Sequence, residues 1–267
     1  MMLELKNVTK AYPVRKRRKG WFSTQDSEQA VKKVSLELRQ GECLGLVGES
    51  GSGKSTLAQC ILGLESLTSG EIWLDHQPIH FEKVKDVQLY KRIQLVAQDS
   101  SSSLHPRMTI RDILMEPIHN YFPERKAQAP DICLSLLESV GLESDNLEKY
   151  PAQLSGGQKQ RVCIARALAV EPNIILFDES IANLDTTTQF SVLGMLKRMQ
   201  QKHQLSYLFI THDLQSTRSF CDRVAVMVQG EIVEIFKEWD EDLLQHEYTR
   251  TLFQTLVDEA ERFPLHG

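Results

Sequence analysis

Gly48-Glu49-Ser50-Gly51-Ser52-Gly53-Lys54-Ser55 has the spacing G-x-x-x-x-G-K-S, and its flanks decide how it is read. Cys43-Leu44-Gly45-Leu46-Val47 before it has the composition of a buried strand. Thr56-Leu57-Ala58-Gln59-Cys60-Ile61-Leu62 after it reads as a helix. A glycine-rich loop between strand and helix is what a phosphate cradle requires. The glycines let the backbone curl so that successive N–H groups face phosphate oxygens, and the new helix adds its positive end. Lys54 then reaches the β- and γ-phosphates, and the Ser55 hydroxyl ligates Mg²⁺. In isolation these residues would make an ordinary Gly/Ser turn. With their flanks they select a nucleoside triphosphate, without choosing among kinases, GTPases, motors and transport ATPases.

The 267 residues, 41% hydrophobic, suffice for one or two domains with a full core. A net charge of −5 argues against nucleic acid as a partner. No apolar run approaches the roughly 20 residues needed to cross a bilayer, so a membrane role has to come through a partner. Met1–Lys6 lacks the layout of a secretory signal. Cys43, Cys60, Cys133, Cys163 and Cys221 are an odd, scattered set that suggests free thiols in a reducing cytoplasm.

Along the chain, Leu3–Val8 alternates as an edge strand should, and Thr9–Gln29 reads as a turn-rich insert. That insert holds the basic run Arg15–Lys19 with Trp21 and Phe22, a solvated loop or a contact for anionic headgroups. Ala30–Leu38, Gly70–Asp75 and Ile93–Ala97 are strand candidates. From Ser100 to Tyr150 the pattern is helical, with core stripes at Ile110, Ile113, Leu114, Ile118 and at Ile132, Leu136, Leu137, Val140. Strands at Asn173–Phe177, Tyr207–Ile210 and Val224–Val228 then alternate with helices through Val170 and over Gln189–Lys202. The sum is an α/β domain with a helical insertion and a short tail from about Phe236.

Ile174-Ile175-Leu176-Phe177 ends in Asp178 and Glu179. A continuous apolar run suits a parallel strand buried on both faces, and ligands meet such sheets at the strands' carboxyl ends. Asp178 is therefore placed to hold Mg²⁺, and Glu179 to polarise the water that attacks the γ-phosphate. Leu154-Ser155-Gly156-Gly157-Gln158 opens another helix. A hydroxyl and two glycines at a helix start make a second phosphate cradle, which two chains facing head to tail would use to complete each other's sites. Without the first cradle, Ser155 would read simply as a helix cap.

These motifs in this order resemble the ATP-binding cassette (ABC) family over nearly the whole chain. The resemblance implies a P-loop NTPase cassette: a mostly parallel sheet core, an antiparallel N-terminal β subdomain and a helical insertion. The cassette would occupy residues 1–236, with the helical subdomain at about 100–170 and an extension at 237–267. It implies ATP and Mg²⁺, with Gly48–Thr56 (Gly48, Glu49, Ser50, Gly51, Ser52, Gly53, Lys54, Ser55 and Thr56) on the phosphates. Tyr12 resembles the aromatic that stacks on adenine. Gln98 resembles the Q-loop glutamine that joins Ser55 and Asp178 around Mg²⁺, and the segment from Ser100 to Pro117 would carry motion to a membrane subunit. Asn183-Leu184-Asp185 resembles the D-loop that crosses the dimer, and His212 the switch histidine at the γ-phosphate. Glu179 and His212 are then the catalytic pair. Ser180-Ile181 and Ala182-Asn183 depart from the family's usual Pro-Thr and Ser-Ala, beside the chemistry rather than in it.

Further segments resemble the oligopeptide/dipeptide/nickel importer branch. They are Tyr12-Pro13-Val14, Gln98-Asp99-Ser100 through Thr109, and the tail His246-Glu247-Tyr248-Thr249-Arg250. Arg161-Val162-Cys163 and Phe220–Val224 lean towards nickel, with a peptide cargo as the alternative. The branch implies a second ATPase subunit, identical or different, two transmembrane permease subunits and an extracytoplasmic solute-binding protein. The chain would then sit peripherally at the cytoplasmic face of the membrane. A soluble ABC ATPase of DNA repair or translation would carry a long coiled-coil insertion or a second cassette, and a GTPase an Asn-Lys-x-Asp motif.

Overall fold

Leu3 and Leu5 alternate with Glu4 and Lys6, a period of two that buries one face of a strand. In the computed structural model they open β1 (Leu3–Val14), which is followed by β2 (Asp26–Leu38), β3 (Cys43–Val47) and α1 (Lys54–Ile61). Next come β4 (Ser69–Leu74), β5 (Gln77–Pro78), α2 (Asp86–Arg92), β6 (Ile93–Val96) and α3 (Ser100–Ser103). Then follow α4 (Ile110–Tyr121), α5 (Ala129–Ser139), α6 (Gly156–Leu168), β7 (Ile174–Asp178) and α7 (Thr186–His203). β8 (Ser206–Thr211), α8 (Leu214–Phe220), β9 (Arg223–Val228), β10 (Glu231–Phe236) and α9 (Glu247–Arg262) complete the order. The structure describes residues 2–14, 26–79, 86–182 and 184–262. The basic run Arg15–Lys19, Trp21, Phe22 and the D-loop residue Asn183 lie outside them.

The chain gathers into two units, residues 1–82 with 210–267, and residues 83–209. In the first, β1 lies between β2 and β4, all antiparallel, and β5 continues the sheet beyond β4. This corrects the expected edge strand ending at Val8: β1 is interior and runs on to Val14, with Tyr12 opposite Glu28. Register shifts between Leu5 and Ala11, with Asn7 at φ 48°, break the alternation that marks a strand in sequence. β3, buried at all five residues, lies parallel to β9, and β10 returns antiparallel along β9. The turn from β3 into α1 passes Gly53 at φ 103°, where a Cβ would stand 2.1 Å from the Ala30 carbonyl oxygen. No side chain with a Cβ fits that approach.

In the second unit β6 pairs parallel with β7, Ile93 opposite Ile174 and Val96 opposite Phe177. Phe177 meets Tyr207 edge-on at 5.2 Å, and the Tyr207 hydroxyl donates to the Leu196 carbonyl at 3.1 Å. Helices α4, α5 and α6 pack on one another. Ile110, Ile113, Leu114 and Ile118 of α4 are buried as their spacing predicts. On α5 the buried face is Ala129, Cys133 and Leu137, while Ile132 and Leu136 are half-buried. Leu137 and Val140 of the expected stripe are buried, while Ala129 and Cys133 take the places expected of Ile132 and Leu136, because Cys133 packs as a small hydrophobe. None of the five cysteines forms a disulfide.

The residues after Phe236 form more than a short tail. Phe236, Trp239, Tyr248 and Leu252 pack against a buried cluster of Val47, Leu214, Val224 and Val226. Trp239 meets Phe236 edge-on at 5.2 Å. The Glu234 carboxylate accepts from the backbone amides of Gln245 at 2.7 Å and His246 at 3.2 Å, just ahead of α9. Burial alone would raise the Glu234 carboxyl, but these amides outweigh it and hold it below the usual range. With the folded pKa below the unfolded one, the anchor contributes above the ordinary glutamate pKa and is lost as pH falls through the folded value. Hydrogen exchange across α9 should therefore stay slow from neutral pH to about pH 5 and quicken in more acid solution. Glu234→Gln should exchange faster at neutral pH, with the acid step removed.

Candidate active site

The phosphate loop is assembled within the first unit. Gly48, Ser52 and Lys54 are buried, while Glu49, Ser50, Gly51 and Ser55 are exposed and Gly53 and Thr56 half-buried. Lys54 is 4% exposed, and its Nζ donates to the carbonyls of Gly48 and Glu49, both at 2.8 Å. A buried ammonium needs such partners, and here they curl the loop around it. α1 follows Gly53 with no side-chain cap, a helix start whose positive end suits an anion. Tyr12 on β1 is exposed, with the Lys10 ammonium 4.9 Å from its ring centroid. His212 is exposed just after β8, beside Asp213, which caps α8 by accepting from the amides of Gln215 and Ser216 at 2.8 and 3.1 Å.

The acids and the second cradle belong to the other unit. Asp178 ends β7, half-buried, and Glu179 follows in the left-handed region at φ 48°. A β-strand that stops in this conformation re-aims the next side chain, at a cost of about 1–3 kcal/mol that the surroundings must hold. Gln98 Nε2 donates to Glu179 Oε2 at 3.1 Å, so the structure brings these two predicted residues together. The next residue, Ser180, is buried and its hydroxyl has no hydrogen-bond partner among the described residues. Asp99 caps α3 by accepting from the Ser101 amide at 2.8 Å, a bond that holds its carboxyl below the usual range. α3 is in turn tied to α6: the Arg166 guanidinium donates to the Ser103 carbonyl, and Cys163 Sγ lies 3.7 Å from that of Ser100.

Ser155 caps α6 through a reciprocal pair, its Oγ accepting from the Gln158 amide at 3.3 Å and its amide donating to Gln158 Oε1 at 3.0 Å. Leu154 is buried beneath this turn, Gly157 and Gln158 are half-buried, and Ser155 and Gly156 stay exposed. Leu184 and Asp185 share a cavity of about 380 Å³ with Ser155–Gln158, Arg161 and Thr188. At Gly157 a Cβ would meet Thr188 Cγ2 at 2.8 Å, so the first turns of α6 and α7 touch through a missing side chain. Asp185 caps α7, accepting from the Thr188 amide at 3.0 Å, and these bonds to Thr188 depress its carboxyl pKa.

Arg161 and Thr188 were not among the expected residues. Arg161 donates to the Val140 carbonyl at 2.6 Å and to Ser191 Oγ at 2.9 Å, pinning α6 to α7. A signal for it was present, since Arg161 shares the helical stripe of Ile164, Ala165 and Leu168, where a charge needs partners. Thr188 left no sequence signal, as its contact depends on Gly157. Among the described residues no helix is long and apolar enough to cross a membrane.

Comparison with known proteins bears on the family and the fold. Residues 31–182 match the family model described as ABC transporter. The nickel import ATP-binding protein NikE of Escherichia coli is 45% identical over 217 residues, covering 80% of this chain and 81% of that protein. The oligopeptide transport ATP-binding protein OppF of Lactococcus lactis is 42% identical over 258 residues, 96% of this chain and 80% of that one. Among solved structures, the dimeric post-hydrolysis state of the ATP-binding cassette MJ0796, bound to ADP and Pi, superposes with a TM-score of 0.74. It is 32% identical and covers 88% of this chain and 98% of its own. On these relatives this chain belongs to the ABC transporter family, as an ATP-binding and ATP-hydrolysing cassette.

Proposed function

We propose that this cassette drives a binding-protein-dependent importer whose cargo is nickel, free or chelated. The observation that carries the cargo is the 45% identity to the nickel import ATP-binding protein. The match to the oligopeptide transport protein runs over more of the chain, 96%, and favours a di- or oligopeptide as the second reading.

In this reading the amides of Gly48–Thr56 and the Lys54 ammonium hold the phosphates, and Tyr12 stacks on adenine. Ser55, Asp178 and Gln98 offer a hydroxyl, a carboxylate and an amide oxygen, the hard donors that suit Mg²⁺. Gln98 has its amide nitrogen on Glu179 and so keeps its oxygen as the acceptor it can turn to a cation. When bound, Mg²⁺ would offset phosphate charge. Glu179, oriented by Gln98, takes the proton of the attacking water, and His212 contacts the γ-phosphate. Ser155–Gln158 of a second cassette closes over that phosphate, adding amides and a hydroxyl to the charge developing there. The exposure of Ser155 and Gly156 supports this closure. Asn183, Leu184 and Asp185 form the D-loop, and the cavity that Leu184 and Asp185 share with the second cradle lets each register the other's state.

Two permease subunits and an extracytoplasmic solute-binding protein complete the assembly, with this chain peripheral at the cytoplasmic face. A concavity of about 390 Å³ along α4, lined by Met108, Met115 and His119 among others, suits an adaptable contact with a permease. The net charge of −5 supports a role away from nucleic acid.

Glu179→Gln should keep ATP affinity and lower kcat by about 10²–10⁴-fold, the usual worth of a positioned base, in a steady-state phosphate-release assay. Ser155→Arg should leave nucleotide affinity at the loop unchanged and abolish ATP-driven dimerisation, read by light scattering in the Glu179→Gln background. Cells lacking the chain should lose uptake of radioactive nickel and keep uptake of a labelled dipeptide. The opposite pattern would transfer the cargo to the peptide reading.

A further inference from the structure

The tail His246–Arg250 has no part in the ATPase scheme, yet the structure carries one of its side chains to the phosphate loop. Tyr248 stands in the first turn of α9, its ring packed against the cluster of Val47, Leu214, Val224 and Val226. Its hydroxyl oxygen is buried and already lies close enough to Glu49 for that residue's backbone and side chain both to act on the phenol, without a hydrogen bond of good geometry among the described residues. It lines a cavity of about 290 Å³ whose other walls are Glu49–Ser52 of the loop and Met227–Gln229 of β9 and the turn after it. The Tyr248 phenol titrates above its ordinary value, through burial first and the neighbouring charge of Glu49 second. A buried hydroxyl without a well-formed hydrogen bond costs about 1–3 kcal/mol, which a full donation to Glu49 would recover.

The loop supplies such a state. The Glu49 carbonyl takes the Lys54 ammonium at 2.8 Å and the Ser52 amide at 3.1 Å. When Lys54 turns to the phosphates, Glu49 loses its strongest donor while the loop must keep its curl. We propose that Tyr248 is a positioning residue for the phosphate loop, its hydroxyl donating to an oxygen of Glu49 as Lys54 leaves for the nucleotide. The C-terminal helix thereby sets nucleotide affinity from behind the loop, without touching the nucleotide. The inference rests on the ATPase reading given above.

The test is Tyr248→Phe in the full chain, which keeps the packed ring and removes the oxygen. ATPase kinetics, ADP affinity by calorimetry and Tm are measured beside the wild type. KM for ATP and Kd for ADP should rise about three- to tenfold, the worth of one net hydrogen bond, with kcat within about twofold. Tm should hold or rise, because the apo protein sheds a buried group without a well-formed hydrogen bond. A merely structural hydroxyl would move Tm and leave KM and Kd unchanged, and that result overturns the proposal, as does a fall in kcat at constant KM. If the wild type binds and hydrolyses ATP while the variant matches it, the positioning role alone falls. A wild type that binds no ATP brings down both readings.

Discussion

A single buried ammonium organises the nucleotide end of this protein. Lys54 lies almost wholly out of solvent, and a charge in that position must be satisfied by whatever is near. What is near is the loop's own backbone, the carbonyls of Gly48 and Glu49. The Ser52 amide also donates to the Glu49 carbonyl at 3.1 Å, so the loop is held curled by its own groups. The loop can close this tightly because Gly53 adopts a positive φ and presents no Cβ to the Ala30 carbonyl 2.1 Å from where it would stand. Charge burial and backbone sterics thus hold the loop curled in the protein alone, the kind of preorganisation on which electrostatic stabilisation of a bound phosphate would depend.

The two helix starts of the proposed site solve the same problem in opposite ways. α1 has no side-chain cap, the kind of helix start that an anion can complete. α6 is completed by its own Ser155–Gln158 pair, so its turn is held in shape by the chain itself. Ser155 accepts with its oxygen and keeps its proton to donate. A turn that is already satisfied can meet a phosphate presented by another subunit and leave it again without unfolding, which a reversible sandwich requires. Arg161 and the Gly157–Thr188 contact then make that turn rigid with the D-loop side of α7.

Contiguity decided what could be read from the chain. The phosphate loop, the acids after β7 and the Leu154–Gln158 turn each hold their chemistry within a few residues, and all lie in the expected elements. β3 is found at the predicted bounds because a strand buried on both faces is an unbroken apolar run. The upper half of β1 was lost to bulges, which shift the side-chain phase and erase alternation. α9 reads as part of a tail because Tyr248 and Leu252 find the Val47, Leu214, Val224 and Val226 cluster only once the β9–β10 hairpin has turned the chain back. Thr188 acquires its role from Gly157, about 30 residues away in sequence, a relation no local pattern encodes.

The hairpin also explains why the C-terminal helix can matter to the nucleotide at all. β9 is the parallel neighbour of β3, so its carboxyl end emerges beside the phosphate loop. Residues 227–229 therefore line one wall of the cavity behind Glu49–Ser52, and β10 must turn back from that point. Glu234 on β10 fixes the chain just before α9, and Trp239 fixes the stretch between them, so α9 has little choice of where to start. Loop, hairpin and helix form one packed body in which Tyr248 is the polar group that reaches the loop. Displacing α9 would open the cavity and leave Glu49 with one potential donor fewer, whereas truncating its distal turns would not. The influence of the C-terminal segment on nucleotide binding should therefore reside in its first turn and in the Glu234 anchor, and not in its length.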